Sequence, residues 1–505
     1  MAIIPKSRRN ITIFYLVIGF AILASLKLSQ VSYQISSIME SALSSKGGNT
    51  EVIILLGAPI FIIFWLYIVF VKKEYLKALF LQIIIFPITF KARAVFAINA
   101  FVDSADFIQK VSITTFLIMI LFSILLSKGK INRPKNTSWR LFERILLLYA
   151  VTLTITQLFN HSLFSAIWLS IGGIWQYIFI YYILSSLVTS YSKLQSLFKS
   201  MLGFVFVNML MRVFSEQQIF MQKLSDEFIR IGGGSMGPAV SYGGYLCIMI
   251  TITLFLYRSN FKRYYLILLV LLFIELLNTF TRGAFLALIF LGLLVLWKNE
   301  RKYFLQIFSV AIIIIMATGN VIWQYFSFRG LALNAKIFEL SNVIVRVDLI
   351  ETYFNEYFNM SLIGNGIGRF TMIPNLYNIP IPAHNILMAL FDQAGIIVLI
   401  LFVILFSHSL FLNIRISRQR YEKDLSTLAV FLIIALIQWF FFANTTSTYL
   451  NIYYPYEASS IFWIILFCAP IIQTISLARN SKSDSHIGNN IQLPIIIDDS
   501  TSRSN

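Results

Sequence analysis

Two residues, Arg282 and His384, combine a chemically useful side chain with a position at the start of an apolar segment. Arg282 follows Asn278-Thr-Phe-Thr, and its guanidinium would there join the free backbone N–H groups of a helix N-terminus in holding an anion. His384 opens the segment HNILMALFDQAG, and an imidazole with an ordinary pKa of about 6.5 suits a general base that takes a proton from a hydroxyl group. Simpler interpretations stay open: an arginine that pairs with Glu275 or extends along an apolar surface, and a histidine that only caps a helix.

The composition places these residues in a membrane protein. Of the 505 residues, 58% are hydrophobic and only 12% are charged, and the mean hydropathy is +0.79. A soluble chain carries about 25% charged residues, so this chain has too little polar surface to cover a water-soluble globule. The two cysteines, Cys247 and Cys468, lie in apolar runs and are interpreted as small buried hydrophobes, not as a disulfide or a metal site.

Apolar stretches of about 15 to 25 residues recur along the chain and predict helices that cross a hydrocarbon core about 30 Å thick. The predicted fold class is an all-α polytopic membrane protein with about fourteen transmembrane helices and one large, partly helical outer loop. The predicted spans are 11–26, 52–71, 78–98, 111–127, 145–160, 163–187, 201–215, 241–257, 265–280, 282–297, 304–323, 384–407, 425–442 and 460–478. The first follows Lys6, Arg8 and Arg9 and is interpreted as a signal anchor.

The basic residues give the orientation of these spans. With the N-terminus inside, the inner loops and termini hold 27 of the 40 lysines and arginines, and 13 lie outside. Because cytoplasmic loops collect positive charge, both termini are predicted to be cytoplasmic. The same rule explains the net charge of +18, so no nucleic-acid partner is expected.

The outside basic residues are rich in arginine beyond residue 200, where the set holds six arginines and two lysines. Lysine and arginine orient a loop equally well, whereas arginine is preferred for paired hydrogen bonds to phosphate or carboxylate. This bias indicates anion recognition at the outer face. The alternative, in which the arginines pair with Asp226, Glu227, Asp348 or Glu351, stays open.

Two long outer loops, 216–240 and 324–383, are predicted to carry the binding elements. In the second, 335–358 has apolar residues at helical spacing and predicts an amphipathic helix on the membrane surface. The sequence SLIGNGIGRF then predicts a glycine-rich turn, and the prolines of IPNLYNIPIPAHN exclude a regular helix. The apolar run from 266 to 297 would be about 48 Å long as one helix, so it is predicted to turn at 279–283.

Metal chemistry is a weaker interpretation of the outer face. The close acidic pairs there, Asp103 with Asp106 and Asp226 with Glu227, have no histidine nearby in the sequence. Arginines neutralise a diphosphate leaving group without a metal, so we favour a site that needs no metal and no cofactor.

Three segments, taken in order, resemble the O-antigen ligase and polymerase family. They are TFTRGAFLAL (279–288), SLIGNGIGRF (361–370) and AHNILMALFDQAGII (383–397), and RIGGGSMGPAVSYGG (230–244) is similar to the glycine-rich outer segment of that family. The resemblance covers about residues 230–400, and the N-terminal half is similar only in hydropathy. Gln393 departs from the family pattern, in which an acidic residue commonly precedes the final glycine by two positions, and Asp392 stands beside it.

The resemblance implies an inverting, metal-independent glycosyltransferase of the GT-C type in the bacterial inner membrane, with a periplasmic active site. Its donor would be an undecaprenyl-diphosphate-linked oligosaccharide. Carried onto this chain, Arg282 and Arg346 would bind the diphosphate, Arg230 would be a third cation, and His384 would be the catalytic base. No nucleotide would be needed; the partners would be lipid-linked donor and acceptor, membrane lipid and a chain-length-regulating membrane protein.

A polymerase is the first expectation, with a ligase that transfers glycan to lipid A-core and a protein O-oligosaccharyltransferase as alternatives. A lipid-linked oligosaccharide flippase, from a different class, would show two similar halves, short outer loops and charges deep within the spans. Five regions are expected. They are N-terminal spans (1–215), a glycine-rich outer loop with central spans (216–323), a large periplasmic loop (324–383), C-terminal spans (384–478) and a disordered cytoplasmic tail (479–505).

Overall fold

The computed structural model describes part of the chain, and all structural statements below concern that part. The described residues are 60–84, 113–131, 137–223, 239–279, 288, 351–352, 362–366, 372–374, 380–382, 386–419, 423–443 and 457–488. The predicted spans at 11–26 and 304–323 lie outside these residues, as does all of 282–297 except Leu288. Of the predicted amphipathic helix at 335–358, only Glu351 and Thr352 are described, and both are helical.

The described structure is almost entirely helical. Its helices are α1 (Ile60–Lys72), α2 (Tyr75–Ile84), α3 (Ile113–Ser127), α4 (Thr137–Asn160), α5 (Leu163–Ser170), α6 (Gln176–Leu187), α7 (Tyr191–Lys223), α8 (Ala239–Asn260), α9 (Tyr264–Asn278), α10 (Ile386–Ser417), α11 (Lys423–Ala443) and α12 (Glu457–Gly488). Two three-residue strands, β1 (Met372–Pro374) and β2 (Pro380–Pro382), pair antiparallel with Ile373 opposite Ile381. This hairpin agrees with the prediction that the prolines exclude a regular helix.

Four of the described helices are long and apolar enough to cross a membrane, by length and composition. They are Trp139–Asn160, Ile386–Ser417, Lys423–Ala443 and Ile461–Arg479. These helices support the expected helical membrane protein. The number of fourteen spans stays a prediction.

Most neighbouring helices run in opposite directions, so their ends gather at two levels. Tyr191 at the start of α7 contacts Ser259 at the end of α8, and the Phe198 and Phe255 rings meet further along the same pair. In the α8–α11 pair, Thr251 Oγ1 donates to Gln438 Oε1 at 2.8 Å. Buried interhelical hydrogen bonds of this kind contribute about 0.6 to 2 kcal/mol each in membrane bundles.

Helix α12 forms the centre of the bundle. The ring of Trp463 stacks on Tyr177 of α6 with centroids 5.5 Å apart and lies 6.0 Å from the ring of Tyr149 of α4. Of the apolar 18-residue stretch of α12, 78% is buried, whereas the corresponding share is 44% in α4 and in α10. Helix α12 therefore lies inside the described part of the bundle, while α4 and α10 each keep an exposed apolar face. Those faces carry large side chains such as Leu148, Ile400 and Phe411, as expected for helices in contact with lipid.

Several helix bounds differ from the predicted spans. Helix α7 continues to Lys223 and α12 continues to Gly488, so the predicted boundaries at 216 and 479 lie within helices. The hydropathy pattern marks where the apolar part of a helix ends, whereas lysine, glutamine and glutamate continue a helix beyond it at little cost. Helix α9 ends at Asn278 with Thr279 in a turn, which confirms the predicted end of that helix.

Candidate functional site

The four predicted site residues, Arg230, Arg282, Arg346 and His384, all lie outside the described residues. Three of them lie close in sequence to helix ends that the structure describes. Helix α9 ends just before Arg282, α10 begins just after His384, and Arg230 falls between the end of α7 and the start of α8.

These four helix ends lie at the same end of the bundle. The α7–α8, α8–α11 and α10–α11 contacts are antiparallel, and only three residues separate α8 from α9. The ends in question are therefore all remote from the end where Tyr191 meets Ser259. We call their end the junction end, and the end that holds Tyr191 and Ser259 the opposite end.

A break in α10 dominates the described part of the junction end. Gly395 has φ 83° and ψ 173°, a conformation that interrupts the helix and favours glycine. At 1.5 Å per residue, the segment 396–417 beyond the break measures about 33 Å, close to the thickness of a hydrocarbon core. The break therefore falls at a level suited to the membrane surface, with 386–394 forming a short separate helical piece.

The turn of the large loop packs against this break. The Asn365 N–H donates to the carbonyl oxygen of Asp392 at 2.8 Å, and the Gly366 N–H donates to that of Gln393 at 3.0 Å. From α4, Thr156 Oγ1 donates to the carbonyl oxygen of Ala394 at 3.4 Å. Three consecutive carbonyl groups before the break are thus satisfied from outside the helix, as buried backbone acceptors require.

Glycine is needed at this contact because the backbones approach closely. A Cβ atom at Gly395 would collide with the carbonyl oxygen of Leu362, and one at Gly364 would lie 2.6 Å from the backbone nitrogen of Ala394. Both glycines also have positive φ, at 83° and 73°. The glycine-rich turn that the sequence predicts is therefore confirmed for 362–366, and glycine is required there because a Cβ atom would collide with neighbouring backbone.

The end of α4 completes the contact. Asn160 Nδ2 donates to the carbonyl oxygen of Gly364 at 3.4 Å and to that of Thr156 at 2.9 Å. A Cβ atom at Gly366 would lie 2.5 Å from Asn160 Cβ and 3.3 Å from His161 Nε2. We call the whole arrangement, Thr156–His161 with Gly364–Gly366 and Asp392–Gly395, the glycine junction.

One carboxylate lies in the glycine junction. Asp392 is buried, and its Oδ1 accepts a hydrogen bond from Asn365 Nδ2 at 2.8 Å. The neighbouring Gln393 is buried as well. The Asp392 carboxylate therefore fixes the tip of the turn.

His161 is a polar residue of this region that the sequence indicates only as part of a short turn. In the sequence it stands in a short connection between two apolar runs, and nothing local distinguishes it from a turn residue. In the structure His161 is partly exposed and lies beside Gly366, a residue that follows it by more than 200 positions in the chain. A long-range contact of this kind leaves no signal in one sequence.

Within the described part of the chain, no group of three or more His, Cys, Asp or Glu side chains is placed to hold a metal ion. The two acidic pairs named above, at 103/106 and 226/227, lie outside it. Cys247 and Cys468 are buried and form no disulfide, which agrees with their interpretation as small core residues.

No protein-family model matches the chain, and no curated protein sequence is significantly similar to it.

Proposed function

We propose that this protein is a lipid-linked glycan polymerase of the GT-C type. It would act in the bacterial inner membrane and transfer an oligosaccharide from an undecaprenyl-diphosphate carrier to a second lipid-linked repeat unit. The observation that carries the proposal is the glycine junction, because it joins two of the three segments on which the family resemblance depends. The turn at 362–366 and the helix start at 386–395 are hydrogen-bonded through Asn365, Gly366 and Asp392.

The position of the described helix ends supports the same proposal. The ends that flank Arg282 and His384 lie at the junction end, and so do those that flank Arg230. A membrane-surface site for a lipid diphosphate needs its cations and its base on one side of the bilayer. The break at Gly395, which divides α10 into a bilayer-length helix and a short outer piece, suits that level.

In the proposed reaction, His384 takes the proton from an acceptor hydroxyl, whose oxygen attacks the anomeric carbon of the donor with inversion. The bond from that carbon to the diphosphate oxygen breaks, and the diphosphate leaves on its lipid. Arg282 and Arg346, with Arg230 as a third cation, stabilise the negative charge that develops on the leaving group. The leaving group is already activated, so no nucleotide takes part.

The glycine junction would act here by positioning. His384 precedes the short helical piece 386–394, and hydrogen bonds from Asn365, Gly366 and Thr156 hold the end of that piece. A base must approach its hydroxyl group to within hydrogen-bond distance, and a displacement of about 1 Å can cost on the order of a hundredfold in rate.

The test is transfer by the purified full-length protein in detergent, with lipid-linked repeat units, EDTA and no nucleotide. The expected product is a ladder of longer lipid-linked glycans, absent with His384→Ala and Arg282→Ala. His408→Gln and Arg415→Ala serve as matched controls, because both residues lie on α10 beyond its break, toward the opposite end, and should leave the ladder intact.

Other outcomes assign other functions. Transfer only to added lipid A-core would identify a ligase, and transfer to serine or threonine of a protein would identify an O-oligosaccharyltransferase. Movement of lipid-linked glycan across a vesicle membrane without elongation would indicate a flippase. A fully active His384→Ala variant of normal thermal stability would disprove the assigned base, and loss of elongation in EDTA would point to the acidic pairs.

A further inference from the structure

Two lysines at the opposite end converge on one tyrosine. The Nζ of Lys128 lies 5.0 Å from the ring centroid of Tyr75, and the Nζ of Lys130 lies 4.9 Å from the same centroid. Lys128 Nζ also donates a hydrogen bond to the Tyr75 hydroxyl. Tyr75 is buried while both lysines are exposed, so one fixed side chain brings two ammonium groups near each other at the surface.

The end of α3 explains this geometry. The Lys130 N–H donates to the carbonyl oxygen of Leu125, and the Gly129 N–H donates to that of Leu126, with Gly129 at φ 64°. This is a Schellman cap, in which a left-handed glycine reverses the chain at the end of a helix. The reversal brings Lys128 and Lys130, on either side of Gly129, to the same tyrosine side chain.

The local charge is not balanced by the described neighbours in sequence. Lys72, Lys73 and Lys77 lie around the ends of α1 and α2 and add to the two lysines of the cap. The carboxylate of this segment, Glu74, is bound to Lys77 at 3.0 Å. The C-terminal ends of α1 and α3 each contribute about half a negative charge, which leaves most of the positive charge uncompensated.

Exposed apolar side chains occupy the last turns of α1 and α3, the two helices that lead to Tyr75 and to Lys128. Phe70 and Val71 of α1 are 57% and 62% exposed, and Leu126 of α3 is 54% exposed. A cationic pair next to an apolar face matches a ligand with a phosphate head and hydrocarbon tails. Basic sites between transmembrane helices bind anionic lipid headgroups in this way.

We propose that Lys128 and Lys130, held beside Tyr75, form a binding site for the phosphate group of an anionic phospholipid. The phosphate accepts hydrogen bonds from the two ammonium groups, and the acyl chains lie along Phe70, Val71 and Leu126. The site lies at the end remote from the glycine junction and does not depend on the proposed glycosyl transfer. A free phosphate anion has the same headgroup chemistry but would not use the apolar border.

The test is native mass spectrometry of the full-length protein in detergent, titrated with phosphatidylglycerol or with zwitterionic phosphatidylcholine. The variant Lys128→Gln/Lys130→Gln is compared with Lys193→Gln/Lys199→Gln, which removes the same charge near the start of α7 at the same end of the bundle. We expect the first variant to bind phosphatidylglycerol about fivefold more weakly for each lysine removed, with phosphatidylcholine binding unchanged. The control variant should behave as the wild type.

Further arms separate the two sources of phosphate and test the tyrosine. Inorganic phosphate, titrated without lipid and followed by thermal unfolding, should not stabilise the protein at millimolar concentration. If it does, and the lysine pair is required, the ligand is a free anion and the lipid assignment is overturned. Equal loss of phosphatidylglycerol binding in both double variants would mean a diffuse charge effect, and Tyr75→Leu with unchanged binding would remove the role of the ring.

Discussion

The two ends of the bundle are held together in different ways. At the junction end, backbone groups contact each other directly, as in the hydrogen bond from Gly366 N–H to the Gln393 carbonyl oxygen at 3.0 Å. At the opposite end, side chains make the contacts, as where Ser476 Oγ donates to Gln419 Oε1 at 3.0 Å. Backbone contacts fix the distance between elements and require glycine, whereas side-chain contacts adapt by changing rotamer. The junction end should therefore tolerate substitution less well.

Tyr191 illustrates the opposite end. Its hydroxyl lies 3.4 Å from Ser259 Oγ, and its ring lies 5.7 Å from the Arg479 guanidinium. Partial burial raises the pKa of the Tyr191 hydroxyl, and its hydrogen bonds to Ser259 and Gln195 oppose that rise. The hydroxyl is therefore neutral at physiological pH, and its contacts are weak ones that water can replace.

The largest effect is expected for Gly395→Ala. The substitution combines a positive φ with a collision against the Leu362 carbonyl oxygen. We therefore expect the free energy of unfolding to fall by about 2 to 4 kcal/mol and glycan elongation to be lost. Thermal unfolding in detergent and the elongation assay measure the two effects. Gly129→Ala is the matched control, because φ there is also positive, at 64°, but a Cβ atom has nothing within 4 Å. Equal losses in the two variants would mean that the close approach contributes nothing.

The next effect is expected for Asn365→Asp. It would replace the amide that donates to Asp392 Oδ1 at 2.8 Å with a second carboxylate, so an exposed carboxylate would lie against a buried one and the two charges would repel. Because one of the two groups is in contact with water, we expect a loss of roughly 1 to 2 kcal/mol in the free energy of unfolding at pH 7. The variant should regain stability at acidic pH, where one carboxyl is protonated. Adding Asp392→Asn should restore the melting temperature; failure to restore it would show that the two side chains are not coupled.

A smaller effect is expected for Thr156→Val. This change keeps the shape of the side chain and removes the hydroxyl that is shared between the Thr152 carbonyl oxygen of its own helix, at 3.1 Å, and the Ala394 carbonyl oxygen of α10, at 3.4 Å. We expect a loss of about 1 kcal/mol in the free energy of unfolding. Thr253→Val is a suitable comparison, because the Thr253 hydroxyl donates within its own helix, to the carbonyl oxygen of Met249. A loss no greater than that of Thr253→Val would show that the link between α4 and α10 is not stabilising.

The smallest effect is expected for Tyr191→Phe. The 3.4 Å contact with Ser259 is long and partly exposed, so the change in stability should stay below about 0.5 kcal/mol. Elongation activity should be unchanged, because the site is proposed at the other end. A Tyr191→Phe variant with lost activity and an unchanged melting temperature would refute the separation between the two ends.

The sequence predicts some of these elements and misses others for identifiable reasons. The end of α9 at Asn278 follows from the length of an apolar run compared with the thickness of a bilayer, and the 362–366 turn follows from its glycines. The break at Gly395 is missed because a single glycine in an apolar run is compatible with an unbroken helix. The kink at Gly173, inside the predicted span 163–187, is also missed, because the Gly172–Gly173 pair lies within an apolar run long enough to be a span.

Local sequence patterns do not predict the glycine junction itself. Its parts are found separately, as a turn and a helix start, but their contact with Asn160 and His161 joins positions about 200 residues apart. Periodicity and composition report on neighbours in sequence, not on which distant helix end will be adjacent. The motif order suggests that the parts belong together, and only the geometry shows how they meet.

The long reach of the glycine junction also sets an order for its biosynthesis. Thr156 and Asn160 leave the ribosome more than 200 residues before the carbonyl groups and turn that they contact. These contacts of α4 can therefore form only after about four-fifths of the chain has been translated. A truncated chain that stops before Gly395 would insert its early helices but leave this end of α4 open, a state that quality-control proteases can recognise.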